Sequence, residues 1–77
     1  MVKYKVRPGF RYPPGASTFP DGVNFSVFSR NASGVMLYLY EREESRAPFQ
    51  VIRLDPEENR TFFFWHVFVV GLELISP

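Results

Sequence analysis

Acid and base chemistry is where the search for a site begins, and the chain offers eight carboxylates and a single histidine for it. The acids are Asp21, Glu41, Glu43, Glu44, Asp55, Glu57, Glu58 and Glu73. A working acid–base pair needs two carboxyl groups pinned on rigid elements, with burial or a like charge pushing their pKa values apart. All of these acids fall in polar turns or at the tail, where water surrounds them, so no catalytic residue is assigned. His66 sits inside an apolar run beside Trp65, with no cysteine, serine or acid at the spacing of a triad or a metal site. It reads as a hydrogen-bonded core or interface histidine, and Trp65 as a core side chain. No metal, cofactor, phosphate loop, zinc pattern or basic stripe with interleaved aromatics is expected.

The elements that would carry these residues are organised around Asp21-Gly22-Val23-Asn24-Phe25-Ser26-Val27-Phe28-Ser29. Asp-Gly suits a tight turn. The following residues alternate with the period of a strand, placing Val23, Phe25 and Val27 on one face and Asn24 and Ser26 on the other. That pattern predicts a strand buried on one side. Val35 to Tyr40 sets Val35, Leu37 and Leu39 against Met36, Tyr38 and Tyr40, apolar on both faces, and predicts a central strand. Phe49 to Leu54 predicts another, with Phe49, Val51 and Arg53 opposed to Gln50, Ile52 and Leu54. Thr61 to Val70 is the most apolar run, rich in β-branched and aromatic types that make poor helices, and predicts a strand buried on both faces.

Between these strands lie polar turns at Arg30 to Gly34, Glu41 to Arg46 and Asp55 to Arg60. Residues 1–20 form a lead-in segment in which Pro8, Pro13, Pro14 and Pro20 make regular structure unexpected. In it Phe10, Tyr12 and Phe19 are expected to pack back onto a sheet or onto a neighbouring domain. Four strands at intervals of about 10 to 15 residues, over residues 21–77, describe part of an antiparallel sandwich. The fold class is all-β.

With 77 residues the chain is one small domain or a piece of one, near the size where a single core barely suffices. It has no cysteine, which excludes disulfides and suits a reducing compartment, with the cytoplasm as the default. A net charge of +1 gives no field that argues for nucleic acid or an anionic membrane. No stretch approaches the ~20 apolar residues that span a bilayer, and the first residues lack the apolar run of a signal peptide. The sequons at Asn31 and Asn59 matter only in a secreted eukaryotic chain.

Pro14-Gly15-Ala16-Ser17 followed by Gly22 to Ser29 resembles the opening of the isoamylase and glycogen debranching family. The likeness continues through Ala32, Val35, Leu37, Leu39 and Tyr40, then Ile52 and Leu54, then Trp65-His66-Val67 and Gly71-Leu72. It covers roughly Pro8 to Leu72. Past that point the family continues with a Pro-Gly turn and a tyrosine-rich strand, whereas this chain reads Glu73-Leu74-Ile75-Ser76-Pro77.

The resemblance implies an immunoglobulin-like β-sandwich, incomplete at the C-terminus, similar to the family 48 carbohydrate-binding modules. It implies a non-catalytic amino-terminal module of a glycogen debranching enzyme, an α-1,6-glucosidase whose acids sit in a separate downstream barrel. Glycoside hydrolysis needs two carboxyl groups about 5 to 9.5 Å apart, and none here can be carried over onto that role. By itself the chain is expected to hydrolyse nothing, and its parent to be a glycoside hydrolase. The implied partners are the barrel and α-glucan, as glycogen or limit dextrin. Trp65, His66, Tyr38 and Tyr40 are the candidate glucan or interdomain contacts. Two alternatives stand beside this: a free-standing glucan-binding module, with Trp65, Tyr38 or Tyr40 exposed as a plate, and a sandwich adaptor with a protein partner.

Overall fold

The computed structural model describes residues 3–40 and 46–73, and every regular element among them is a strand. They are β1 (Val6–Arg7), β2 (Gly15–Phe19), β3 (Gly22–Phe28), β4 (Val35–Leu39), β5 (Gln50–Leu54), β6 (Arg60–Thr61) and β7 (Phe64–Val70). One antiparallel sheet runs in the order β1-β7-β3-β2, with β6 also paired to β7, and a second consists of β4 and β5. The two sheets pack face to face as an all-β sandwich. The charge run at 41–45 and the tail at 74–77 lie outside the described residues.

The period of two does the sorting. In the β3–β7 ladder Val23 stands opposite Val69, Phe25 opposite Val67 and Val27 opposite Trp65. From that row Trp65, Val67 and Val69 meet Leu39, Ile52 and Leu54 of the second sheet to form the core, with Phe25 packed against it, while Val27, expected on the buried face, is about half exposed. Burying one such aliphatic side chain contributes about 1.5–3 kcal/mol, while a single hydrogen bond nets nearer 1. Apolar burial is therefore what holds the sheets together. A bidentate link adds to it, since Tyr4 N–H donates to Gln50 Oε1 at 2.8 Å and Gln50 Nε2 donates to Tyr4 O at 3.0 Å.

Five expectations are corrected here. The lead-in does contain regular structure: β2 pairs along its whole length with β3, and the prolines at 13, 14 and 20 bracket this strand without entering it. The turn between β2 and β3 is centred on Pro20 and Asp21, with Gly22 already paired to Phe19. β3 is covered on both faces at its centre, where Asn24 and Ser26 are buried along with Val23. β4, read as central, pairs only with β5 among the described residues and leaves Met36 and Tyr38 exposed. Finally, Thr61 to Val70 is broken by a turn at Phe62 and Phe63, so that Thr61 belongs to β6 and the strand covered on both faces begins at Phe64. The alternation of β5 is as read, with Ile52 and Leu54 buried and Val51 and Arg53 exposed.

Candidate functional site

The polar residues of the outer β3–β7 face are engaged with the chain's own lead-in. Asn24 Oδ1 accepts from Phe10 N–H at 3.1 Å, and Asn24 Nδ2 donates to Phe10 O at 2.9 Å. Ser26 Oγ donates to Arg11 O at 2.6 Å. His66 completes the row: its Nδ1 lies 2.7 Å from Pro8 O, an atom that only accepts, so Nδ1 carries the proton. Its Nε2 pairs with Thr61 Oγ1 at 2.8 Å. Residues 8–11 thus form a strap across the sheet, and Gly9 permits its close approach. A Cβ there would stand 2.5 Å from Asn24 Oδ1 and 2.8 Å from Phe68 N, and its φ of +74° is one that L side chains rarely adopt. Phe10 and Phe19 pack against Phe68 as expected, whereas Tyr12 is exposed.

Trp65 and His66 are therefore interior residues, 1% and 4% exposed, and in this chain neither offers a ring face to a sugar. The core reading of Trp65 is the one observed. Arg60 lies over the indole at 5.5 Å, and the buried Trp65 Nε1–H has no hydrogen-bond partner among the described residues. The Trp65 ring also lines an apolar cavity of about 350 Å³ between the sheets, together with Ala16, Phe25, Val27, Val35 and Leu37.

Tyr38 and Tyr40 stand apart from that pair. They are 46% and 47% exposed; Tyr38 lies on the outward row of β4 with Met36, and Tyr40 directly follows the strand's last residue. Side chains two residues apart on a strand are about 7 Å from each other, the spacing of a short aromatic plate. Across the ladder Val51 stands opposite Tyr38, and Arg53 opposite Met36, both exposed. The face therefore mixes aromatic, aliphatic and cationic groups. Val51, Arg53 and Met36 were not singled out from the sequence, because the β4–β5 register that assembles them cannot be read from either strand alone.

A second aromatic group lies at the β6–β7 turn. Phe62 is 69% exposed with φ of +59°, its ring tilted at 46° against Phe63 with 4.3 Å between centroids, and the Arg30 and Arg60 guanidinium groups lie within 6.0 Å of the Phe63 ring. The described acids form no cluster. Asp21, Asp55, Glu57, Glu58 and Glu73 are all exposed, and Asp55 is engaged in its own turn, accepting from Glu57 N–H at 2.8 Å. Glu41, Glu43 and Glu44 lie outside the described residues.

Residues 13–76 match the family model for carbohydrate-binding module 48, the isoamylase N-terminal domain. The chain is 39% identical over 69 residues to Isoamylase 1, chloroplastic, of Oryza sativa subsp. japonica, a match covering 87% of this chain and 9% of that protein. It is 37% identical over 71 residues to the Arabidopsis thaliana protein of the same name, covering 90% of this chain and 9% of that one. A glycogen debranching enzyme of Serratia proteamaculans is 33% identical over 67 residues, covering 87% and 9%. The chain belongs to the carbohydrate-binding module 48 family, whose immunoglobulin-like sandwich agrees with the two antiparallel sheets seen here. It spans about a tenth of the length of the curated relatives it matches.

Proposed function

We propose that this chain is the non-catalytic amino-terminal module of an α-glucan debranching enzyme, and that the outward β4–β5 face contacts glucan. The observation that carries the binding face is the exposure of Tyr38, and of Tyr40 just past the strand's end, beside Met36, Val51 and Arg53. The apolar face of a pyranose suits a stacked aromatic ring, and a neighbouring guanidinium donates to sugar hydroxyls. Glycogen or limit dextrin is the proposed ligand, and a downstream catalytic barrel, braced by the module, the proposed partner in a longer polypeptide. The same exposed face suits a free-standing glucan-binding module as well, and sequence beyond Pro77 that encodes a barrel with its acids separates the two. We propose the cytoplasm as the compartment, on the reading of a chain without cysteine; the plant relatives carry the chloroplast in their names.

Two measurements test the reading. In native gels cast with glycogen, the chain is expected to migrate more slowly than in plain gels, and Tyr38→Ser with Tyr40→Ser is expected to abolish the retardation without lowering the thermal midpoint. Equal retardation of the two proteins would remove the tyrosine face as the site. Incubation of the pure chain with pullulan and glycogen is expected to release no reducing sugar. Release that scales with protein and disappears on replacing one named carboxylate would overturn the non-catalytic assignment.

A further inference from the structure

Strain, charge and exposed aromatic surface meet at the turn between β6 and β7. Phe62 holds φ of +59°, a left-handed conformation that glycine adopts freely and phenylalanine does not, yet its ring is 69% exposed and adds little to the core. A strained residue persists only where its surroundings hold it, and such residues gather where ligands are gripped. Two bonds hold this one. Arg60 Nε–H donates to Phe62 O at 2.8 Å, and Ser29 N–H donates to Phe63 O at 2.9 Å. The first bond fixes a guanidinium group along with the turn, since Arg60 also lies over the Trp65 ring at 5.5 Å. The second brings the neighbouring loop in, and with it Arg30, whose guanidinium is 5.8 Å from the centre of the Phe63 ring that Arg60 approaches at 6.0 Å. Among the described residues neither cation is paired with a carboxylate.

We propose that this turn binds a phosphate monoester carried on a hexose ring, with Arg30 and Arg60 taking the phosphate and Phe62 the ring. Two guanidinium groups match the charge of about −1.5 to −2 on a phosphate monoester better than the single charge of a carboxylate. Their planar forks also suit its oxygens, to which each donates more than one bond. Arg60 uses Nε on Phe62 O, which leaves its two terminal amino groups for a ligand. Because both cations approach one ring centre, they stand no more than about 12 Å apart, and Arg30 is exposed on a long side chain that closes the gap. Phe62 stands beside them as a plate for the apolar face of a pyranose. Phe28, half exposed and edge-on to Phe63 at 6.1 Å, extends that surface.

The left-handed backbone acquires a reason on this reading. Glycine at position 62 would relax the turn and remove the plate, so the chain keeps a less stable residue where the ligand needs a ring. Every group involved comes from residues 28–30 and 60–65, at the end of β7 away from β1 and Gly71, roughly 20 Å along the strand. The turn belongs to the first sheet and Tyr38 to the second, so the site is separate from the outward β4–β5 face and does not depend on glucan binding there.

The test is titration of the 77-residue chain, followed by two-dimensional NMR, with glucose 6-phosphate, glucose, inorganic phosphate and a phosphorylated maltodextrin. Glucose 6-phosphate is expected to shift the amides of residues 60–63 and the Nε–H signals of Arg30 and Arg60, and to bind about tenfold or more tightly than glucose or inorganic phosphate. R30Q is expected to weaken that binding by about tenfold. F62G is expected to raise the thermal midpoint while its affinity for glucose 6-phosphate falls to that for inorganic phosphate, a loss that unfolding cannot explain. Y38S with Y40S is expected to leave the binding unchanged, which separates this site from the tyrosine face. Tighter binding of the phosphorylated maltodextrin than of glucose 6-phosphate assigns the ester to a glucan chain, and the reverse order assigns it to a free sugar phosphate. Equal affinity for glucose 6-phosphate and inorganic phosphate, or an R30Q or F62G variant that binds like the wild type, would overturn the proposal. So would tighter binding of hexaglutamate, which would assign the turn to an acidic segment of a protein partner.

Discussion

Asn24 and Phe10 bond each other twice, side-chain amide to backbone amide, across 14 residues of sequence. The geometry is that of a strand pair in miniature, with one residue's side chain standing in for the missing partner strand. Replacing Asn24 by Ala leaves the Phe10 N–H and C=O without their partner. Each such group, where water cannot reach it, costs about 1–3 kcal/mol. Asn24→Asp is expected to be comparably damaging, since the replacement loses the donor that meets Phe10 O. Urea unfolding of both variants gives the magnitude, and faster proteolytic cleavage within residues 8–13 would report that the strap has come loose.

Gly9 tests the same contact from the other side. Gly9→Ala is expected to destabilise by about 2 kcal/mol or more, because the left-handed conformation alone costs an L residue roughly 1–2 kcal/mol and the new methyl group also meets Asn24 and Phe68. Gly15 has φ of +89° but nothing within 4 Å of the added carbon. Gly15→Ala should therefore show the conformational cost without the collision. Equal losses at the two sites, measured by denaturant titration, would mean that the strap does not press on the sheet.

Trp65→Ala is expected to cost about 3–5 kcal/mol, as removal of a large buried aromatic does. Trp65→Phe should cost much less, about 1.5 kcal/mol or under, because it keeps most of the apolar volume and removes an N–H that lacks an acceptor. The comparison is best read from chemical unfolding midpoints with a common slope. A Phe variant as unstable as the Ala variant would show that the indole N–H has found an acceptor.

Phe62→Gly is expected to stabilise the chain by about 1 kcal/mol, since glycine adopts φ of +59° without the penalty a phenylalanine incurs there. The ring is largely exposed, so little packing is lost to offset the gain. A rise of several degrees in the thermal midpoint checks it.

The strands most legible in the sequence were those whose alternation was written in unlike residues. Val23 and Phe25 identify the inner row of β3, although Val27 at its end is about half exposed, and Ile52 with Leu54 does the same for β5. β4 misled for the opposite reason. Met36, Tyr38 and Tyr40 are apolar enough to read as covered, yet β-strand preference in tyrosine and methionine reports a fit to a pleated surface and says nothing about what lies above it. β2 escaped because its alternation, Ala16 and Thr18 against Ser17 and Phe19, is weak and its proline brackets dominate the window. The burial of Asn24 and Ser26 on the outer row, beside a His66 already read as a hydrogen-bonded core or interface residue, was the deepest omission. The polarity of Asn24 and Ser26 suggested an uncovered face, and only the three-dimensional path of Pro8 to Arg11 supplies the carbonyl and amide groups that they and His66 bind. Of the candidate contacts, the sequence gathered four aromatic and imidazole rings together, and burial divides them into an interior pair and a surface pair.

β1 runs antiparallel to the closing end of β7, with Val70 N–H donating to Lys5 O at 2.9 Å and Tyr4 close beside Gly71. Residues 3 and 73 therefore approach the sandwich along neighbouring, opposed paths at one end of the sheet. Tension applied across those two points would load the β1–β7 bonds one after another, as a zipper is opened, instead of shearing them together. The strap would then be pulled out from its end, Pro8 leaving His66 before Phe10 leaves Asn24. A sandwich attached in this way hangs from its surroundings like a pendant on a single clasp. It yields to low force at that clasp while the β3–β7 spine stays intact, a sequence of events that single-molecule pulling between positions 3 and 73 would record as an early, small extension ahead of the main unfolding step.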